Sequence, residues 1–100
     1  MLKKVFVNSE EIGRINYQIS TIDNSIFISL FRLKPQFHNK GYFKYLFKEI
    51  ISISKKNNIS ILILSVGGER DIEDEYLLSL YRRYGFIGDK RRMILDIRNI

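Results

Sequence analysis

Pro35-Gln36-Phe37-His38-Asn39-Lys40-Gly41-Tyr42-Phe43-Lys44 separates two runs of different period, and that change of period decides the fold. Upstream, Ile26, Ile28 and Leu30, continuing to Arg32, recur at every second residue, the period of a strand. Pro35, the single proline, has no amide hydrogen to give to a ladder and ends that strand. Downstream, Tyr42, Phe43, Leu46, Phe47, Ile50 and Ile51 recur at three- and four-residue spacing, which predicts a helix from Gly41 to about Asn57 with one buried face. Ile59, Ile61 and Ile63 then interleave with Ser60, Leu62 and Leu64. A strand over Ile59–Val66, apolar on both faces and closed by Gly67 and Gly68, is expected to lie centrally with cover on each side. Strand, helix and strand form a β-α-β unit, so the two strands should run parallel with a right-handed crossover.

Working outward, Leu2–Val7 is β-rich, Asn8 to Glu11 reads as a turn, and Ile12–Ser20 alternates around Ile15, Tyr17 and Ile19, giving a hairpin. A second turn at Thr21–Asn24 leads into the strand at Ile26. Beyond the central strand, Glu69, Asp71, Glu73, Asp74 and Glu75 gather where a second helix should start and suit its positive N-terminal dipole. Leu77, Leu80, Tyr81 and Tyr84 share one face of that helix, and Gly85 is its expected C-cap. One last strand is predicted over Phe86–Ile97. The order is β-β-β-α-β-α-β, an α/β chain with a mixed sheet, read as a single domain over residues 1–100.

Composition excludes some chemistry. The chain has no cysteine and one histidine, His38, so cysteine catalysis, a disulfide framework and a metal centre are not expected. Lys3 and Lys4 are followed by Val5, Phe6 and Val7 and then at once by polar residues, which is too short for a secretory signal, and Ile59–Val66 is too short to span a bilayer. A soluble cytoplasmic protein without a membrane partner is expected. A net charge of +6 implies attraction to anions: nucleic acid, an acidic protein surface or a phosphate-bearing cofactor. The basic residues show no aromatic platform motif, which argues against nucleic acid.

The turn at 35–44 carries the sharper signal. A helix N-terminus exposes unpaired amides and partial positive charge, Gly41 lets an anion approach the main chain, and Lys40 and Lys44 add cations. The segment is a candidate phosphate cradle, although a strand-turn-Gly-helix sequence also occurs as plain connection.

His38-Asn39-Lys40-Gly41-Tyr42-Phe43 resembles motif A of the GNAT acetyltransferases, an Arg/Gln-x-x-Gly-x-Gly/Ala loop between a strand and a helix. Leu80-Tyr81-Arg82-Arg83-Tyr84-Gly85-Phe86 is similar to the family's Leu-Tyr-x-x-x-Gly-Phe ending of motif B, and together the two span Ser25 to Ile97. His38 stands in place of Arg or Gln, Phe43 in place of a small residue, and Asp74 at the position nearest the family's motif B Asn. The family's first strand and two helices have little counterpart here, which implies an open acceptor site.

The resemblance implies acetyl-CoA as the cofactor. Its diphosphate would lie against His38, Asn39, Lys40, Gly41, Tyr42, Phe43 and Lys44, and its pantetheine would pair with exposed backbone around Leu33. It also implies attack by an amine on the thioester, with Tyr81 protonating the departing thiolate, whose intrinsic pKa is ~8.5. The implied function is an N-acetyltransferase acting on a primary amine, a protein lysine among the candidates. No general base is identifiable; Glu10, Glu11 and Glu69 lack supporting spacing, and the place of His38 argues for hydrogen bonding or packing within the loop. A homodimer is left open. The alternative is an inactive scaffold of the same fold that contacts a partner, in which Tyr81 is a packed core aromatic.

Overall fold

The computed structural model describes residues 1–67, 73–98 and 100. Gly68, Glu69 and Asp71, named above, lie outside the described residues. The strands are β1 (Leu2–Val7), β2 (Glu10–Ser20), β3 (Ser25–Leu33), β4 (Ile61–Leu64), β5 (Ile87–Asp89) and β6 (Arg92–Asp96), and the helices are α1 (Phe43–Lys56) and α2 (Asp74–Arg83). They form one sheet in the order β1-β2-β3-β4-β6-β5, with β3 and β4 parallel and the other pairs antiparallel. This mixed α/β architecture is the expected one. Its last strand differs: Phe86–Ile97 folds back as a β5–β6 hairpin, because Gly88 adopts φ 119° and the Asp89 carboxylate accepts the Arg91 amide at 2.9 Å, closing a tight turn. No described helix is long and apolar enough to cross a membrane.

The connections follow from local chemistry. Asn8 and Ser9, both at positive φ, close the β1–β2 hairpin as a two-residue turn whose twist matches the strands. The Asn24 carbonyl accepts the amides of Ser60 and Ile61, and its side chain donates to the Ser60 hydroxyl at 2.8 Å, so the β2–β3 turn also pins the start of β4. Pro35–Phe37 forms a single 3-10 turn after β3, with Pro35 at its first position, where no amide hydrogen is needed. In α1 the buried positions are Phe43, Leu46, Ile50, Ile51 and Ser54, and the Ser54 hydroxyl is satisfied by the Ile50 carbonyl at 2.7 Å. Acidic Asp74 and Glu75 open α2, and Arg82 and Arg83 close it, each sign favourable to the helix dipole.

Both helices pack on the same face of the sheet. The Phe31 ring on β3 meets Phe43 of α1 at 4.8 Å and Tyr81 of α2 at 6.0 Å between centroids, which only one face allows. Hence β4 is covered on one side: Leu62 and Leu64 are 0% and 2% exposed, while Ile61 and Ile63 on its other face are half-buried. The expectation of cover on both faces is corrected here. Apolar residues on alternate faces show what a strand can bury, whereas cover depends on where the helices fall.

The β2–β3 register carries the feature that positions the site. Asn16 faces Leu30 and Tyr17 faces Ile28, leaving Ser29 as an extra residue, a bulge whose hydroxyl donates to the Asn16 carbonyl at 3.2 Å. A bulge bends its strand and sharpens the twist. Pairing of β3 with β4 stops at that point, at Ile28 opposite Leu64. Beyond it, β3 stays with β2 through Leu33, while the Val66 amide donates to the Lys90 carbonyl at 2.7 Å, drawing the chain after β4 toward the β5–β6 turn. The strands part.

Gly13 holds β2 against this bent stretch: a Cβ there would lie 2.4 Å from the Arg32 carbonyl oxygen and 3.0 Å from the Leu33 Cα. Gly13→Ala should therefore cost about 2 kcal/mol in urea unfolding, the scale of overpacking in a tight interior. An unchanged midpoint would show that the two strands separate freely there.

Candidate functional site

Hydrogen-bond alternation fixes which backbone groups face the gap. The Lys34 amide donates to the Ile12 carbonyl at 2.8 Å, so Ile12 and Lys34 are a bonded pair of the antiparallel ladder. Alternation then turns the amides and carbonyls of Leu33 and Phe31 to the opposite edge, where β4 has left. Glu11 fastens the end of β3: it accepts from Arg14 Nε at 3.0 Å and lies 3.6 Å from Lys34 Nζ. The Arg14 hydrogen bond, helped by the charges of Arg14, Lys34 and Lys4, holds the Glu11 carboxyl below the usual carboxylate range.

The Leu33 carbonyl is already met. His38 Nε2 lies 3.1 Å from it, and since a carbonyl only accepts, Nε2 carries the hydrogen. His38 is thus tied back onto the strand from which the turn departs. Asn39 at φ 58° and Gly41 at φ 80° reverse the chain before α1, and the space a Gly41 Cβ would occupy is open to 4 Å. Among the described residues, no backbone carbonyl accepts from Asn39 through Lys44, and the first such bond of the helix is Tyr45 to Tyr42 at 3.0 Å. Gly41 and the helix terminus therefore present open backbone donors.

A cavity of about 380 Å³ lies between the end of β3, this turn and α2. Leu33, His38, Asn39, Gly41, Tyr42 and Phe43 line it from the first side; Tyr76, Leu77, Leu80, Arg83 and Tyr84 face them from α2. Lys40 on the turn and Lys44 in the first turn of α1 are exposed and do not line it, and Lys44 Nζ instead sits 5.3 Å from the centre of the Tyr45 ring. Phe43, 8% exposed, is directed inward, edge-on to Phe31 at 4.8 Å and to Tyr84 at 5.1 Å, so its bulk fills the floor rather than the space before the amides.

Tyr81 is 5% exposed and packs against Phe31, Phe43 and Phe86, behind the cavity wall and outside the residues that line it. Tyr84, one turn further along, does line it. Tyr76 was missed in the sequence: its hydroxyl donates to Asn39 Oδ1 at 3.1 Å, joining the start of α2 to the turn. It stands one turn before Leu80, on the side of α2 that faces the cavity, and its role appears only once the two segments meet in space. Glu10 and Glu11 lie on β2, and neither lines the cavity.

Solved structures share this architecture. The chain is similar to a PaiA N-acetyltransferase from Thermoplasma acidophilum, solved in complex with coenzyme A, at 27% identity and a TM-score of 0.75 over 96% of this chain and 60% of that one. It is similar to Tetrahymena GCN5 at 15% identity and a TM-score of 0.77, over 99% of this chain and 69% of that one. The anti-CRISPR protein AcrVA5 matches at 17% identity and a TM-score of 0.69, over 95% of this chain and 98% of that one. The chain thus spans about 60% of the length of the PaiA structure. No family model matches the sequence, nor does any curated protein. The parted parallel strands, the helix terminus beside them and these likenesses identify the chain as a GNAT-fold protein.

Phe43→Ala should lower unfolding stability by about 3 kcal/mol, because it removes a buried ring from three aromatic contacts. Lys44→Ala next to it should stay within about 0.5 kcal/mol. Equal effects would mean that Phe43 is not the floor of the cavity.

Proposed function

We propose that the chain binds acetyl-CoA in this cavity and transfers the acetyl group to a primary amine. The observation that carries the reading is that the edge of β3 freed beyond Ile28 and the open terminus of α1 face one and the same cavity. The likeness to a PaiA structure solved with coenzyme A supports it. Diphosphate oxygens would accept from the Asn39–Lys44 amides around Gly41, with Lys40 and Lys44 adding positive charge at the rim. Pantetheine amides would pair with Phe31 and Leu33. At the Leu33 carbonyl a pantetheine N–H would take the place of His38 Nε2, freeing the imidazole toward the diphosphate. His38 and Leu33 then both belong to the coenzyme site.

Acetyl-CoA supplies an activated thioester. With it bound, a neutral amine nitrogen would attack the carbonyl carbon as the C–S bond breaks; Tyr81 would give its phenolic proton to the departing thiolate and be reprotonated by the proton that the acylated nitrogen loses. Stacking on Phe31 supports this role, since it holds Tyr81 against the strand whose edge faces the gap. A protein lysine is one candidate amine, and an acceptor site as open as the resemblance implies would admit it. The competing reading, a scaffold without transfer, is favoured by the burial of Tyr81 among three rings.

Coenzyme A at about millimolar concentration should raise the melting temperature, since a ligand of the native state stabilises it by mass action. Gly41→Val should abolish the shift, because a β-branched residue resists the φ of 80° and its side chain fills the approach to the amides. No shift in the wild type removes the coenzyme assignment, and an undiminished shift in Gly41→Val moves the phosphate site elsewhere.

For transfer, Tyr81→Phe should cut thiol release by roughly 10²-fold or more with coenzyme binding intact. Tyr84→Phe should retain activity. The reverse pattern gives the proton donor role to Tyr84, and wild-type protein that binds coenzyme A yet acetylates no amine supports the scaffold.

A further inference from the structure

The face of the sheet turned away from both helices carries an apolar row. Phe27 on β3 is registered with Ile63 on β4, Ile63 with Ile94 on β6, and Ile94 with Ile87 on β5, so the four side chains stand in line across the strands. Phe27 is 43% exposed and Ile87 71%, Ile63 and Ile94 between them are half-buried, and among the described residues no helix lies over the row. Against this row opens a groove of about 650 Å³, floored by Phe27 and Ile63. At one end is the β2–β3 turn with Ile22, 96% exposed; at the other, Arg91 and Arg92 of the β5–β6 hairpin. Among the described residues neither guanidinium is in an ion pair: Asp89 takes the Arg91 backbone amide, and the groove's own carboxylate, Asp23, accepts from Ser20.

We propose that this groove docks an acidic peptide segment of a partner protein, apolar side chains on the Phe27–Ile63–Ile94–Ile87 row and carboxylates on Arg91 and Arg92. Each side of the surface selects for part of that description. An exposed apolar row loses water on being covered, and two unpaired guanidiniums match carboxylates in fork geometry. A second copy of this chain fits worse, because it would bring two chains of charge +6 face to face. Single-stranded nucleic acid fits worse too, since successive bases need successive rings to stack on, and the row offers one ring and three isoleucines. The groove is open on the outer face and does not depend on transfer in the cavity.

The test is fluorescence anisotropy with labelled short peptides of mixed Asp/Glu and Leu/Phe. Comparison probes are the same peptides with Lys for the acids, the same peptides with Ser for the apolar residues, and a thymidine oligonucleotide of like length. Acidic apolar peptides should bind saturably, and both the Arg91→Glu/Arg92→Glu double variant and Phe27→Ser should weaken them about tenfold or more. Thermal melting of each variant confirms that it is folded. The proposal is overturned if the lysine peptides bind equally, if no peptide saturates by about millimolar concentration, or if the folded double variant binds undiminished. It is likewise overturned if the oligonucleotide binds tighter than every peptide, or if sedimentation shows a dimer that Phe27→Ser dissolves.

Discussion

Everything distinctive about this molecule depends on one extra residue in one strand. With Ser29 inserted opposite the Asn16–Tyr17 step, β3 bends and leaves β4 after four paired residues. Two forces keep the strands apart: β2 retains the far half of β3 with Gly13 packed against the Arg32 carbonyl, and the β5–β6 turn takes the Val66 amide. An edge opened inside a sheet would ordinarily be a liability, since its amides and carbonyls want partners. Here one of them, the Leu33 carbonyl, is met by His38.

The rest of the site follows from that parting. Phe31 sits at the bend, and its ring is the meeting point of Phe43 from α1 and Tyr81 from α2, so one aromatic cluster joins both helices to the strand that diverges. The cluster sets the depth of the cavity and keeps the α1 terminus level with the freed strand edge. Tyr76 bridges to Asn39 across its mouth. The same placement of both helices on one face is why the outer row of apolar residues has no helix over it among the described residues.

Much of the fold was legible in the sequence because period and punctuation agreed. Alternation up to Leu33, a proline at 35, and three- and four-residue spacing from Tyr42 leave little freedom for the β-α-β unit. The two glycine-containing segments at 38–43 and 80–86 located the turn and the end of α2. What escaped was set by contacts between distant residues. The Ser29 bulge shows in the sequence only as a change of parity, from Ile26 and Ile28 to Phe31 and Leu33, which reading Ile26 to Arg32 as one alternating run passes over. The hairpin at Asp89–Arg92 was hidden by reading Phe86–Ile97 as one β-rich stretch, although Gly88 and Asp89 are turn residues. The inward turn of Phe43 and the burial of Tyr81 are matters of rotamer and packing, which spacing along a helix does not determine.

In the proposed function, the edge of β3 opened beyond the bulge and the amides at the start of α1 form one coenzyme site. Backbone amide NMR on titration with coenzyme A tests it most directly. Shifts should concentrate at Phe31, Leu33 and the Asn39–Lys44 amides, together with a change in the His38 ring as its bond to the Leu33 carbonyl is replaced. Shifts confined to exposed lysines, or centred on the bare face around Phe27 and Ile63 with the β3 edge undisturbed, would contradict it.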